Sequence, residues 1–146
     1  MSVTAFWYAT PIINAYGANP QNYLSDSMKV LLTTSSYSPT QATDAFKSDV
    51  TNEVTGTGYS AGGATLASKT LTYNSGTKTI TWAAANVSWT SSTITARTAV
   101  VYDGTPGSDA TRPLFIQDTS SVDVVSSSGT FQIVWDAAGI ATAVLT

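Results

Sequence analysis

The stretch that decides the fold is Ala64–Tyr102, ATLASKTLTYNSGTKTITWAAANVSWTSSTITARTAVVY. Its apolar residues alternate with threonine and serine, and short polar runs interrupt it every eight to twelve residues. Period-two alternation marks strands, and such punctuation marks the turns between them. Ala64–Tyr73 and Thr77–Ala83 flank Asn74-Ser75-Gly76, which reads as a hairpin turn with Gly76 in a left-handed conformation. On the second of these strands Thr79 and Thr81 alternate with Ile80 and Trp82, a half-buried pattern. Asn86–Trp89 is a further strand, and Thr90-Ser91-Ser92 a turn. Thr93–Tyr102 reads as the central strand. Ile94, Ala96, Thr98, Val100 and Tyr102 are expected on one face, with Ala99 and Val101 making its end apolar on both. Arg97, on the opposite face, is expected to point outward and pair with a carboxylate.

Upstream of this block lies Ser48–Gly63, SDVTNEVTGTGYSAGG. Gly56, Gly58, Gly62 and Gly63 permit positive φ and close backbone approach. The segment Asp49–Gly63 therefore reads as an ordered surface loop that wraps a sheet edge or meets another chain. Further upstream, Met28–Thr34 is a clear strand. Pro39, preceded by Ser38 as a cap, opens an expected short helix over Thr40–Ser48, with Ala42, Ala45 and Phe46 on one face. Ile12–Tyr23 is at most a helical turn followed by loop. Val3–Tyr8 reads as a first strand ended by Pro11. Its consecutive Phe6, Trp7 and Tyr8 cannot share one face, because strand side chains alternate. Either the domain buries both faces, or one aromatic anchors into a neighbouring subunit.

Downstream, Asp103–Arg112 is a loop. Pro113–Gln117 and Val122–Val125 are short strands, and Ser126-Ser127-Ser128-Gly129 is a turn. Thr130–Asp136 follows, with Phe131, Ile133 and Trp135 on one side, and Ile140–Leu145 closes the fold inside a sheet. Eight to nine strands with at most one short helix predict an all-β, antiparallel β-sandwich of jelly-roll or immunoglobulin-like type. At 146 residues the chain reads as a single domain. Residues 1–25 are expected to act as an N-terminal contact segment.

Composition narrows the function. The 42% hydrophobic and 10% aromatic content suits a folded domain rather than a disordered chain. Only 10% of residues are charged, against about 25% in ordinary domains. A surface of hydroxyls is weakly repulsive and suits burial against neighbours. The net charge is −3 and the six basic residues are scattered along the chain, so no clustered footprint for nucleic acid or an anionic membrane is read. Cysteine and histidine are both absent. That removes disulfides, thiol nucleophiles, Cys/His zinc sites and histidine triads. The opening MSVTAFWYATP lacks the basic and apolar regions of a signal peptide. No apolar run approaches the length of a membrane-spanning helix.

Nothing in the sequence selects a catalytic pair. Every carboxylate falls in or next to an expected loop, where a solvated aspartate is the ordinary case. Asp49 with Glu53, or Asp103 with Asp109, offer oxygen ligands for Ca²⁺, but neither pair matches the spaced acidic pattern of a calcium loop. GTGYSAGG lacks the lysine of a phosphate loop and precedes a strand rather than a helix. Trp82, Trp89 and Trp135 fit core positions better than a sugar-stacking platform. The reading is a protein with no enzymatic activity and no cofactor.

Five segments, AFWY near the start, MKVLLTTSSYSP, SDVTNEVTGTGYSAGGATL, VSWTSSTITARTAVVYD and GTFQIVWDAAGI, together resemble a family of small virion proteins encoded in tailed-phage and prophage genomes. The resemblance spans nearly the whole chain. DVTNEVTGTGYSAGG and TARTAVVYD are its most specific parts. It implies a structural protein, most simply a capsid decoration (cement) protein on the outer head surface. The implied partner is the major capsid protein, and a homo-trimer is the implied assembly. The expected contact residues are Phe6, Trp7 and Tyr8 in the N-terminal segment, separable from the fold, and Thr55, Gly56, Thr57, Gly58, Tyr59, Gly62 and Gly63 in the loop. The alternative is a tail or fibre module that binds a host-surface glycan.

Overall fold

The computed structural model describes residues 6–9, 13 and 20–145. The first five residues and most of the Ile12–Tyr23 segment lie outside that set, as does much of the N-terminal contact segment. Within it the chain is all-β, with eight antiparallel strands in two sheets. The strands are β1 (Phe6–Trp7), β2 (Met28–Thr33), β3 (Ala64–Thr65), β4 (Thr70–Asn74), β5 (Thr79–Ala83), β6 (Val87–Asp103), β7 (Leu114–Ile133) and β8 (Ala141–Val144). One sheet has the order β1-β7-β6-β2-β3, the other β4-β5-β8. Among the described residues, no helix is long and apolar enough to cross a membrane.

The hairpin of β6 and β7 is the frame. At 17 residues, β6 would extend about 55 Å. Two expected turns inside it are bulges rather than turns. Ser91 and Ser128 take left-handed φ of 50° and 49°, and the pairing register shifts beside them, between Trp89↔Phe131, Ser92↔Gly129 and Ile94↔Ser126. The first shift adds a residue to β6 and the next adds one to β7, so the offsets cancel and both strands continue. The expected strands Asn86–Trp89 and Thr93–Tyr102 are therefore merged in β6, and Pro113–Gln117, Val122–Val125 and the start of Thr130–Asp136, as far as Ile133, in β7.

These bulges also reset which face each residue uses. The β6 residues of the main core are Val87, Trp89, Ile94, Ala96, Ala99 and Val101. Counting the buried Ser92 between Trp89 and Ile94, the spacing is two, broken by steps of three at 89→92 and 96→99. The expected single face from Ile94 to Tyr102 thus splits. Ile94 and Ala96 join the main core, while Val100 and Tyr102 join a second cluster with Tyr8, Leu31, Tyr37 and Leu114 on the reverse face. The second step coincides with another register shift, between Ala96↔Val124 and Thr98↔Thr119. There Arg97 projects outward and pairs with Asp123 at 2.8 Å, as expected.

The main core joins the two sheets. Trp82 of β5 meets Trp7 edge-on, with ring centroids 4.9 Å apart, and Trp7 meets Phe115 in the same way. Ile140, Ala141, Phe131 and Ile133 belong to the same cluster. Each large apolar side chain buried there contributes about 1.5–3 kcal/mol.

Three further expectations change. The helix over Thr40–Ser48 is not formed. Turns precede a 3-10 segment at Lys47–Asp49, and Phe46 makes a bridge to Pro113. The Asp49 carboxylate draws the chain into a turn by accepting the Ala45 and Phe46 N–H groups. Ala64–Tyr73 is two strands, broken at Ser68, whose φ is 50°. In the β4–β5 turn the left-handed residue is Lys78 rather than Gly76, because the Asn74 side chain already holds the Gly76 and Thr77 N–H groups. The closing strand is held in a sheet as expected: β8 pairs with β5 and forms an edge of that sheet.

Candidate functional site

The Gly-rich loop lies along the sheet edge that β2 leaves open. β2 pairs with β6 only over Thr98–Asp103. Beyond that point the loop takes its place, through bridges Thr33↔Glu53 and Thr57↔Thr93 and the hydrogen bonds Val54 N–H to Leu32 O (2.8 Å) and Thr93 N–H to Thr57 O (3.0 Å). The glycines are what permit this approach. A Cβ on Gly58 would lie 2.8 Å from the Ser92 Cα, and φ there is +79°. At Gly63, φ is +67° and a Cβ would overlap the Val30 carbonyl.

Glu53 and Tyr59 fix the loop's shape. Tyr59 donates its hydroxyl to Glu53 Oε1 at 2.9 Å and accepts the Leu32 N–H at 3.0 Å. Gly62 N–H donates to the same Oε1 at 2.5 Å, and Tyr102 donates to the Gly62 carbonyl at 2.8 Å. Burial, then the neighbouring Glu53 charge, holds the Tyr59 phenol far above its ordinary range. Burial likewise pushes Tyr102 up to about 12. Both phenols stay neutral donors at any physiological pH. The ring of Tyr59 rests 5.8 Å from that of Trp89. What remains outward is the tip: Thr55, Gly56, Thr57 and Gly58 are exposed, while Tyr59, Gly62 and Gly63 are half-buried.

Beside this tip lies an open groove of about 410 Å³ lined by Thr34, Glu53, Thr55, Thr93, Thr95 and Ser127, with Ile94 and Val125 among its apolar lining. Sequence reasoning missed it. Its walls come from four segments, the chain just after β2, the loop, β6 and β7, that only the bulged pairing of β6 with β7 and the loop's position bring together.

The N-terminal aromatics are placed differently. β1 pairs with β7, Phe6↔Gln117 and Trp7↔Ile116. Tyr8 is fully buried and its hydroxyl meets that of Tyr37 at 3.1 Å. Tyr37 in turn donates to Asp44 Oδ2 at 2.8 Å. Burial pushes Tyr8 up to about 12. Trp7 packs on the core, and of the three only Phe6 is exposed. A segment holding Tyr8 and Trp7 is thus part of the fold and not separable from it. β1 and β3 stand at opposite edges of their sheet, so the two expected contact elements do not form one continuous patch.

Each carboxylate considered for Ca²⁺ has its own partner. Asp49 caps its turn and Glu53 holds the loop. Asp103 accepts the Thr105 N–H, and Asp109 pairs with Lys47 and Arg112, both at 2.7 Å. Among the described residues, no three acidic, histidine or cysteine side chains gather as ligands. Trp89 is buried, and Trp82 and Trp135 pack against the core.

The expectation of solvated carboxylates fails at Asp118. It sits within β7, opposite Ala99, and is 2% exposed. Neither of its oxygens has a hydrogen-bond partner among the described residues. Burial pushes its carboxyl up to about 7. The pattern concealed it, because Gln117-Asp118-Thr119 reads as the polar end of a short strand.

Compared with known proteins, the chain matches no family model, no curated protein and no solved structure.

Proposed function

We propose that this is a non-enzymatic virion structural protein that decorates the outer surface of a phage head and stabilises it. The two sheets are read as the layers of a β-sandwich, closed by the Trp7–Trp82–Phe115 contacts. The observation that carries the reading is the character of the surface. Three cations are neutralised by carboxylates, Lys47 and Arg112 by Asp109 and Arg97 by Asp123. Exposed apolar side chains, Phe6, Leu71, Tyr73, Val122, Val125 and Val144, are spread over both sheets of a chain rich in serine and threonine. Such a surface loses little solvation when it is buried against a repeated neighbour.

In this reading the contacts with the major capsid protein are made by Phe6 and by the loop tip Thr55–Gly58. The loop is pre-shaped by Glu53 and Tyr59, so little ordering cost remains at binding. The mechanism is mass action. A protein that binds only the assembled shell stabilises the shell by its binding free energy. A homo-trimer at a symmetry axis suits this role. The test is location and copy number on purified virions, by antibody labelling and quantitative densitometry. Hundreds of copies over the head support decoration, and a handful at the tail tip refute it.

A second reading, a tail or fibre module binding a glycan, is supported by the groove lined by Thr34, Glu53, Thr55, Thr93 and Thr95. Hydroxyls, one carboxylate and an apolar part of the lining suit a sugar ring. Binding of labelled virions or of the purified protein to a glycan array, lost on Thr93→Tyr, is the measurement for it.

A further inference from the structure

The open edges of the two sheets are not alike. β1 and β3 are two residues each, too short to template another strand. β8 is partly covered, with Ala141 buried. Among the described residues, β4 is a regular five-residue strand with a neighbour on one side only, and every residue in it is exposed. The stretch Thr70–Thr77 carries no charge and no proline. Natural proteins usually guard such an edge with lysine, proline or a bulge, because its unpaired N–H and C=O groups invite another strand. Leu71 and Tyr73 lie opposite Trp82 and Ile80 on β5 and so share one face of the sheet. They remain 42% and 55% exposed.

We propose that β4 is a homotypic docking edge, on which two copies of this chain pair antiparallel about a two-fold axis at Thr72. The occupant is a second copy because the strand is complementary to itself in this register. Leu71 of each copy falls opposite Tyr73 of the other, on the same face. An aliphatic–aromatic cross-strand pair of this kind is favourable, and it forms twice. Thr70 falls opposite Asn74, and Thr72 opposite Thr72. The nearest cation, Lys69, meets Ser75, so no like charges come face to face. The product is one continuous six-stranded sheet, β8-β5-β4-β4-β5-β8. The contact is two-fold, so it adds to a three-fold assembly rather than replacing it, and it does not depend on the decoration reading.

The two-fold axis supplies the test. Sedimentation equilibrium of the full chain over micromolar to millimolar concentration is expected to show reversible dimer formation. Thr72→Glu and Thr72→Lys each place a charge against its own copy, and each is expected to weaken the dimer by about tenfold or more. An equimolar mixture of the two variants is expected to associate again, which a folding defect would not allow. Thr72 is exposed, so both variants keep the wild-type unfolding midpoint. A wild-type protein that stays monomeric, association indifferent to both substitutions, or a mixture that fails to re-associate would each overturn the proposal.

Discussion

Ser92 and Ser126 face each other across the β6–β7 hairpin with their hydroxyl oxygens 2.8 Å apart. Both are buried. Ser92 also accepts the Phe131 N–H and reaches the Gly129 carbonyl, each at 3.3 Å, and Ser126 accepts the Ile94 N–H at 3.4 Å. The two hydroxyls therefore satisfy the backbone groups that the bulges at Ser91 and Ser128 pull out of the ladder. Replacing Ser92 by alanine leaves those groups unpaired inside the hairpin, at a cost of about 1–3 kcal/mol. Urea midpoints of Ser92→Ala, Ser126→Ala and the double variant measure it. The pair acts as a unit, so the double variant is expected to lose less than the sum of the single losses.

Asp118 gives the fold a pH dependence of unusual sign. Its folded carboxyl keeps its proton up to about pH 7, while in the unfolded chain it ionises near pH 4. Between these values the folded state binds more protons. Its stability therefore falls as pH rises from about 4 and levels off above about 7. The full span corresponds to at most about 4 kcal/mol. Asp118→Asn removes the ionisation. Its denaturation midpoint is expected to match the wild type near pH 4 and exceed it at pH 8. Parallel curves across this range would refute the assignment.

How much of this was legible in the sequence follows from what each signal depends on. The apolar run Met28–Thr33 and the alternation along Thr79–Ala83 depend only on neighbours within a strand, and both strands were readable. The all-β class and an outward Arg97 paired with a carboxylate followed in the same way, though which carboxylate did not. The serine-rich breaks at 90–92 and 126–129 were not, because a bulge and a turn draw on the same residues. Only the partner strand decides between them. The Gly-rich loop was readable as an ordered, edge-wrapping element. Its exposed tip was not separable in advance from Gly62 and Gly63, whose freedom is used against β2 and Tyr102. The burial of Tyr8 and Asp118 depends on what covers the sheet from elsewhere in the chain, and no local pattern encodes that.

Gly63 tests the loop's packing. With φ at +67° and the Val30 carbonyl in the way of a Cβ, Gly63→Ala meets both backbone strain and a clash that no rotamer relieves. A loss of about 2–4 kcal/mol is expected. Gly107 is the control, since a Cβ there meets nothing within 4 Å. Gly107→Ala should leave the thermal midpoint within the scatter of replicates. A comparable loss at both positions would mean that the close approach to β2 is not what the glycine serves.

The N-terminal aromatics separate folding from contact. Tyr8 is fully buried and hydrogen-bonded to Tyr37, so Tyr8→Ala leaves a cavity and takes one of the two partners of the Tyr37 hydroxyl, which keeps Asp44, and is expected to cost about 3–5 kcal/mol. Phe6 is 48% exposed, and Phe6→Ala should change stability by less than about 1 kcal/mol. If Phe6 contacts the capsid shell, the same variant should bind assembled heads at least about tenfold more weakly, a loss of the size found at interface anchors. Co-sedimentation with heads stripped of the protein, beside a thermal melt of each variant, gives both quantities. Unchanged head binding by a folded Phe6→Ala protein would remove Phe6 from the contact and leave the loop tip Thr55–Gly58 to carry it.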